Sequence, residues 1–273
     1  MEKDFHVGIL FHNNPKYFEL HSQINDHVDA YEIVLGQYAT EPDVIDEIKE
    51  LGKPLILHTN LLSPGSYNGV SRSDLQKVNS RVDRANALWV GDHMCYSKIK
   101  GIESGGLLSP FLIEEELSIY EKNINVITKE LNCPLLLENV IMFYNPLSEM
   151  SLGEFFTKLT ERTSAGIILS LENISQCQFY HNLDHYEFIE SLPLEKVVQL
   201  HCTLGNIEEQ KQIPSFYEKQ LKHFEVIKYL AEKKEFSPKS LIWELETETP
   251  SLASPDYIVE KIHWARELFA NKG

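Results

Sequence analysis

The sequence predicts an α/β fold, a (β/α)8 TIM barrel, on three observations. Eight short runs rich in Val, Ile, Leu and aromatic residues recur along the chain. Each is continuously apolar rather than alternating, which is how a strand covered on both faces of a parallel sheet reads. The runs begin about 34 residues apart on average, the length of one βα unit.

The runs are HVGILF (6–11), YEIVL (31–35), PLILH (54–58), ALWVGDH (87–93), PLLLEN (134–139), GIILSLEN (166–173), VVQLH (197–201) and LIWELE (241–246). Helical periodicity fills the gaps. In 41–51, Val44, Ile45, Ile48 and Leu51 share one face, and acidic residues open the first turn, where the helix dipole favours them. Residues 113–131 repeat the pattern with Leu117, Tyr120, Ile124 and Ile127. Residues 215–234 carry Leu221, Phe224, Ile227 and Leu230 at helical spacing and end in lysines. The last helix, 255–270, opens on a Ser254 cap followed by Pro255 at the first helical position. Alternation persists to the end, so residues 1–273 are expected to form a single barrel domain; such barrels typically have about 250 residues. The SPGS segment (63–66) and Gly105-Gly106 read as loop punctuation.

Composition narrows the function. With 42% hydrophobic and 24% charged residues the chain is an ordinary globular one, and its formal charge of −16 argues against a phosphate-backbone partner. The acidic surface serves solubility first and, second, would attract a basic peptide or partner. Cys95, Cys133, Cys177 and Cys202 form no CxxC pair, with Cys133 and Cys177 read as core residues. The N-terminal MEKDFHVGIL has no apolar signal core, and no apolar run approaches the ~20 residues of a membrane helix. A cytoplasmic protein with neither nucleic acid nor membrane as partner is the expectation. There is no GxGxxG after the first run, no Walker loop, no GxSxG and no HExxH.

Barrels of this type place their chemistry where the strands end. Here six consecutive runs stop on a histidine or a carboxylate: His58, Asp92-His93, Glu138-Asn139, Glu172-Asn173, His201, and Glu244 with Glu246. Such groups crowded into one mouth are costly to bury unless something pairs them, and a shared cation satisfies all together. Imidazole mixed with carboxylate suits Fe, Mn or Zn rather than Mg or Ca. His58, His93, Glu138, His201, Glu244 and Glu172 are therefore the candidate metal ligands, with Glu138, His201 and Glu244 also the candidate catalytic residues. Glu138, set between the others, could bridge two ions. Asp92 reads either as a carboxylate orienting an imidazole or as a simply exposed residue. Asn139, Asn173, His181, Asn206 and Glu246 are further candidates for supporting the site or touching substrate. His12, Gln37, Tyr38 and Glu32 could each supply a pocket hydrogen bond, and Phe143, Tyr144, Phe179 and Tyr180 could line an entrance or pack over the rim. His6, His21, His27, His223 and His263 read as solvated residues in or beside helices.

The ordered strand ends LILHTNLLSPGS, LWVGDHMCYS, PLLLENVIMFYNPLSEMSLGEFFTKLTERTSAGIILSLENIS, VVQLH and LIWELE resemble the multinuclear non-haem iron-dependent oxidative enzymes. The resemblance spans nearly the whole chain and is most specific at the LLLEN block, the MSLGEF helix start and the RTSAGIIL strand. It implies a xylose-isomerase-like barrel holding two or three irons, which uses O2 to modify a cysteine-containing precursor peptide, often beside a separate peptide-recognition partner protein. The family's SLHG histidine falls on His58, its SEHLAWS segment on Gly91 to Ser97, its LLEN glutamate on Glu138, the first histidine of IHLAGH on His201 and the IERD glutamate on Glu244. Three features depart. The LDVNN aspartate is Ser170 and its first asparagine is Glu172. The second histidine of IHLAGH is missing, with Asn206 nearby, and no Asp-x-His follows between Asn206 and Gln220. The resemblance therefore implies two irons rather than three here, Glu172 standing in for the lost aspartate.

The leading expectation is thus an iron-dependent oxygenase or oxidase acting on a cysteine-containing, ribosomally made peptide. Alternatives on the same barrel are a divalent-metal sugar isomerase or epimerase and a non-catalytic barrel subunit; a metal-dependent phosphodiesterase or abasic-site nuclease suits the charge less well.

Overall fold

The computed structural model describes residues 5–11, 15–35, 42–99, 102–142, 148–206, 211–245 and 253–270. Eight strands close a barrel: β1 (His6–Phe11), β2 (Ala30–Leu35), β3 (Leu55–Thr59), β4 (Val90–His93), β7 (Leu135–Glu138), β8 (Gly166–Ser170), β9 (Val197–Leu204) and β10 (Ser240–Leu245). Every neighbouring pair is parallel, and β1 joins β10 to seal the ring. All eight expected strands are present. The helices are α1 (Pro15–Ile24), α2 (Pro42–Lys49), α3 (Arg72–Ala85), α4 (Glu114–Glu130), α5 (Leu152–Arg162), α6 (Leu171–His181), α7 (His185–Glu190), α8 (Pro214–Glu232) and α9 (Pro255–Phe269). Ser71, Ser151 and Ser254 cap α3, α5 and α9, each accepting from the backbone N–H three residues on.

Two differences from the sequence reading have local causes. The sixth run ends as a strand at Ser170, whose side chain accepts from Asn173 N and starts α6. Leu171 is fully buried in that first helical turn, so apolar character runs unbroken across the strand–helix junction and hides it. Between β4 and α4 the chain forms an antiparallel hairpin, β5 (Tyr96–Ile99) with β6 (Ile102–Leu108). Its long strand is largely exposed and carries no buried stripe, so no apolar run announces it.

Side-chain alternation sets the interior. Ala30, Ile56, Trp89, Leu136, Ile168 and Ile242 form a dry plug inside the barrel, separate from the larger core between strands and helices. Glu32, His58, Glu138, Ser170 and Glu244 each lie two residues beyond a member of that plug on the same strand, so they point the same way, one pleat nearer the mouth.

Candidate metal centre

The layer above the plug gathers three imidazoles and three carboxylates. Glu138, at the end of β7, sits centrally. Its Oε2 lies 3.1 Å from His58 Nε2 and 3.4 Å from His93 Nε2, and its Oε1 lies 3.7 Å from His201 Nδ1. Glu244 Oε1 approaches His201 Nδ1 at 3.4 Å. The His58 ring is 4.6 Å from that of His93 and 5.3 Å from that of His201. His58, Glu138 and His201 are buried, and Glu244 is the most accessible of the set.

Glu32 holds this layer from beneath. Its Oε1 is 2.9 Å from His58 Nδ1 and its Oε2 is 2.7 Å from His201 Nε2, so one carboxylate accepts from the inner N–H of both rings. Gln199 donates to Glu32 Oε2 at 3.0 Å and accepts from Trp89 Nε1 and Ser240 Oγ. With the inner nitrogens set against Glu32, and Gln199 Nε2 also 2.6 Å from His201 Nε2, the outer ones, His58 Nε2 and His201 Nδ1, are the nitrogens a cation would meet once their protons leave. Those same two buried nitrogens have no hydrogen-bond partner. His93 Nδ1 lies 3.3 Å from the Thr59 carbonyl, which directs its Nε2 towards Glu138. Asn173 donates to Glu138 Oε1 at 3.0 Å and to the Asn139 carbonyl, while Asn139 exchanges two hydrogen bonds with the Ser170 backbone.

The electrostatics fit a cation. Burial alone would raise the Glu32 carboxyl, but His201 and then His58 hold it at about 2. Burial opposes charge on His58 as well, yet Glu138 and Glu32 lift it to about 10. His201 is raised well above the ordinary range against its own burial, chiefly by Glu32 and Glu244, and Glu138 is held well below its range by His201 and His93 despite desolvation. His93 is pushed by burial to about 4, and Glu244 is pushed by burial to about 7 with Glu138 and Glu32 adding to the rise. Without a metal, protons on His58 and His201 must balance the carboxylates. Donor atoms about 2.0–2.2 Å from one ion lie roughly 3.0–3.6 Å apart, close to the 3.1–3.7 Å spacings here. His58, His93 and Glu138 form a group able to hold an ion, and Glu32, His58 and His201 form a second by proximity. In the second group Glu32 already accepts from both rings, which gives it the work of orienting rather than ligating.

Five of the six candidate ligands thus converge: His58, His93, Glu138, His201 and Glu244. Glu172 does not join their contacts. It lies on the first turn of α6, paired with Lys219 Nζ at 2.9 Å and accepting from Gln176 and, at 3.4 Å, Thr203 Oγ1. Asp92 is not the carboxylate that orients an imidazole. It accepts from the backbone N–H of Leu62 (2.9 Å) and His93 (2.6 Å), and burial raises it to about 7 despite these donors. Orientation falls instead to Glu32, which interrupts an apolar run; a buried carboxylate there demands a partner, and that was its only signal. His181, at the end of α6, is hydrogen-bonded to the Met142 carbonyl. Asn206 follows β9 and is half-buried. His21 and His223 are buried, contrary to the solvated reading: His21 stacks on Phe11, and His223 and His185 both contact Ser175 Oγ at 2.9 Å. Phe179 and Tyr180 are exposed. His12, Gln37, Tyr38, Phe143, Tyr144 and Glu246 lie outside the described residues.

Above the cluster opens a cavity of about 470 Å³. His58, His93, Glu138 and Glu244 line it together with Ser170, Glu172 and Asn173 and with the aliphatic Leu10, Val34, Leu107, Val140 and Ile141.

A closed parallel barrel with this mouth is of the xylose-isomerase-like TIM class. The fold resembles D-psicose 3-epimerase from Clostridium cellulolyticum (TM-score 0.57, 10% identity, 97% of this chain and 96% of that one). It also resembles endonuclease IV from Thermus thermophilus (TM-score 0.54, 12% identity, 97% of both). At such identities the likeness concerns the fold alone. The chain belongs to the MbnB/TglH/ChrH family of RiPP precursor modification enzymes, which it matches over residues 7–262. Relatives include UPF0276 proteins of Caulobacter vibrioides, 27% identical over 228 residues (83% of this chain, 80% of the relative), and Rhizorhabdus wittichii, 25% identical over 229 residues (83% and 80%). Among the described residues no helix is long and apolar enough to cross a membrane.

Proposed function

We propose that this protein is an iron-dependent oxidative enzyme that uses O2 to modify a cysteine of a ribosomally made precursor peptide, working beside a peptide-recognition protein. The observation that carries the reading is the pair of buried outer nitrogens, His58 Nε2 and His201 Nδ1, left without partners and facing Glu138 and Glu244. Membership of a family of RiPP precursor modification enzymes supports the peptide as substrate.

In this reading His58, His93, Glu138, His201 and Glu244 would hold the metal; that the two oxygens of Glu138 turn to different imidazoles supports its sharing by more than one ion. Iron, when bound, supplies affinity for a thiolate and redox chemistry with O2; Mn or Zn suit the same donors in kind. Glu32 fixes both rings and their tautomers from below, and Asn173 fixes the Glu138 carboxylate from the side. The aliphatic wall of Leu10, Val34, Leu107, Val140 and Ile141 excludes water from a side chain entering the cavity. The Glu172–Lys219 pair neutralises the remaining carboxylate of the wall, leaving the cation-binding charge concentrated on the floor.

The test is anaerobic loading with Fe(II), addition of a cysteine-containing peptide, and exposure to O2. Oxygen uptake accompanied by a mass change confined to cysteine-containing peptides is expected. Oxygen-indifferent turnover of a ketose with Mn or Mg, without any peptide change, would replace this reading by the epimerase one.

A further inference from the structure

The metal cavity is not closed on the side of the β5–β6 hairpin. Leu107 of β6 forms part of its wall and also lines a narrow cavity of about 70 Å³ between the hairpin and the segment after β3. Leu61 and Lys98 in turn line both that cavity and a further one of about 410 Å³ running along residues 61–71. Three hollows therefore adjoin one another in succession, the first over the imidazole–carboxylate floor. A monosaccharide or a single amino acid fills only the first. A polymer in extended conformation is the ligand whose shape uses all three.

The groove is rigid at its base. Ser63 Oγ accepts from the backbone N–H of Ser97 (3.1 Å) and Lys98 (3.2 Å), Ser97 Oγ donates to the Asn60 carbonyl (2.5 Å), and Lys98 Nζ pairs with Asp74 at 2.5 Å. Above this base, among the described residues, β6 pairs with the shorter β5 along one edge only, with a register shift between Tyr96 and Lys98. An unpaired strand edge is a template for an added extended chain. Gly105 and Gly106 lie on β6 beside the narrow cavity, and a Cβ at either would meet nothing within 4 Å. Gly105 has a φ of +77°, which accounts for that glycine. Gly106 has no such φ, and no neighbour forbids a side chain there, so folding does not require glycine at 106. Open space over this bulged, side-chain-free stretch of β6 leaves room for another backbone to pass close over it.

We infer that an extended peptide segment, the substrate itself, lies along this groove over Gly106 and delivers its cysteine past Leu107 to the metal. This rests on the peptide-modifying reading of the cavity. It adds the path of the chain and assigns Gly106 as a specificity-determining position.

The test uses the whole Fe(II)-loaded chain under anaerobic conditions with three probes: a pool of fluorescein-labelled, cysteine-centred nonapeptides with randomised flanks, the same pool centred on serine, and N-acetylcysteine methylamide. Gly106→Val and the milder Gly106→Ala are compared with wild type, their iron content and circular dichroism expected to be unchanged. The expected result is that Gly106→Val weakens binding of the peptide pools by roughly tenfold or more, Gly106→Ala by less, while the small thiol perturbs the iron spectrum equally in all three proteins. The groove is refuted if Gly106→Val and Gly106→Ala hold the pools within about twofold of wild type, or if wild type binds the pools no more tightly than the small thiol. Binding of the serine pool that Gly106→Val weakens, with no response of the iron spectrum to either thiol probe, would uphold the groove and remove the thiol-oxidation reading.

Discussion

At the scale of single residues, the division of labour between Glu32 and the outer carboxylates is the sharpest feature of the site. Glu32 touches only the inner nitrogens of His58 and His201, so its removal should loosen the rings without deleting a ligand. Glu32→Gln is expected to weaken metal binding by about 10–100-fold, the usual cost of losing a carboxylate behind a ligating imidazole, as read by competition with a chromophoric chelator; unchanged affinity would return Glu32 to a packing role. Glu172 and Glu244 make the complementary comparison. Glu244→Gln is expected to reduce metal content, whereas Glu172→Gln, freed only from Lys219, Gln176 and Thr203, should leave it at the wild-type level in mass spectrometric metal analysis. The five candidate ligands that converge were legible in the sequence because each ends an apolar run. Glu32 was legible only as a candidate for a pocket hydrogen bond and Gln199 not at all, because a lone polar residue inside such a run does not say which neighbour satisfies it.

At the scale of elements, the strands were legible and their edges less so. Continuous apolar runs identify strands buried on both faces, but Ser170 caps a helix while ending a strand, and Leu171 beyond it stays buried. The β5–β6 hairpin escaped because β5 is short and the residues of β6 are largely exposed, leaving no apolar period to read. Packing between strands is tight where the site is built. A Cβ on Gly91 of β4 would come within 2.5 Å of Ile168 Cδ1 and 2.9 Å of His58 Nδ1. Gly91→Ala is therefore expected to cost about 1–3 kcal/mol, to lower the melting temperature by several degrees, and to push His58 off Glu32 so that metal affinity falls as well. A melting curve and a metal titration check both arms; a stable variant with normal affinity would mean that the β4 backbone moves aside.

At the scale of the whole molecule, buried polar groups include those of the imidazole–carboxylate layer and the His185–Ser175–His223 contact between α6, α7 and α8. His223 is fully buried, and burial holds it near 4, with Glu172 pulling upward and Lys219 and His185 adding to the fall. An unfolded histidine protonates near 6.5, so as the pH drops the unfolded chain takes up this proton first. Stability from His223 is full above about 6.5 and is lost progressively towards 4, on the order of 3 kcal/mol in all. Urea unfolding at pH 7 and pH 4.5 should show a smaller loss for His223→Gln than for the wild type; equal losses would place the sensitivity elsewhere. Closure of the barrel was legible from the count and spacing of eight runs, a number a parallel barrel accommodates with both faces covered. The central place of Glu138, expected from the order of the runs, follows from β7 lying between β4 and β8.

The most direct measurement is a crystal of the iron-loaded protein with anomalous diffraction recorded on either side of the iron edge. Iron peaks bonded to His58 Nε2 and His201 Nδ1 and shared with Glu138 are the expected result. A crystal in which those two nitrogens bind only water or protons, with iron absent or held elsewhere, would contradict it.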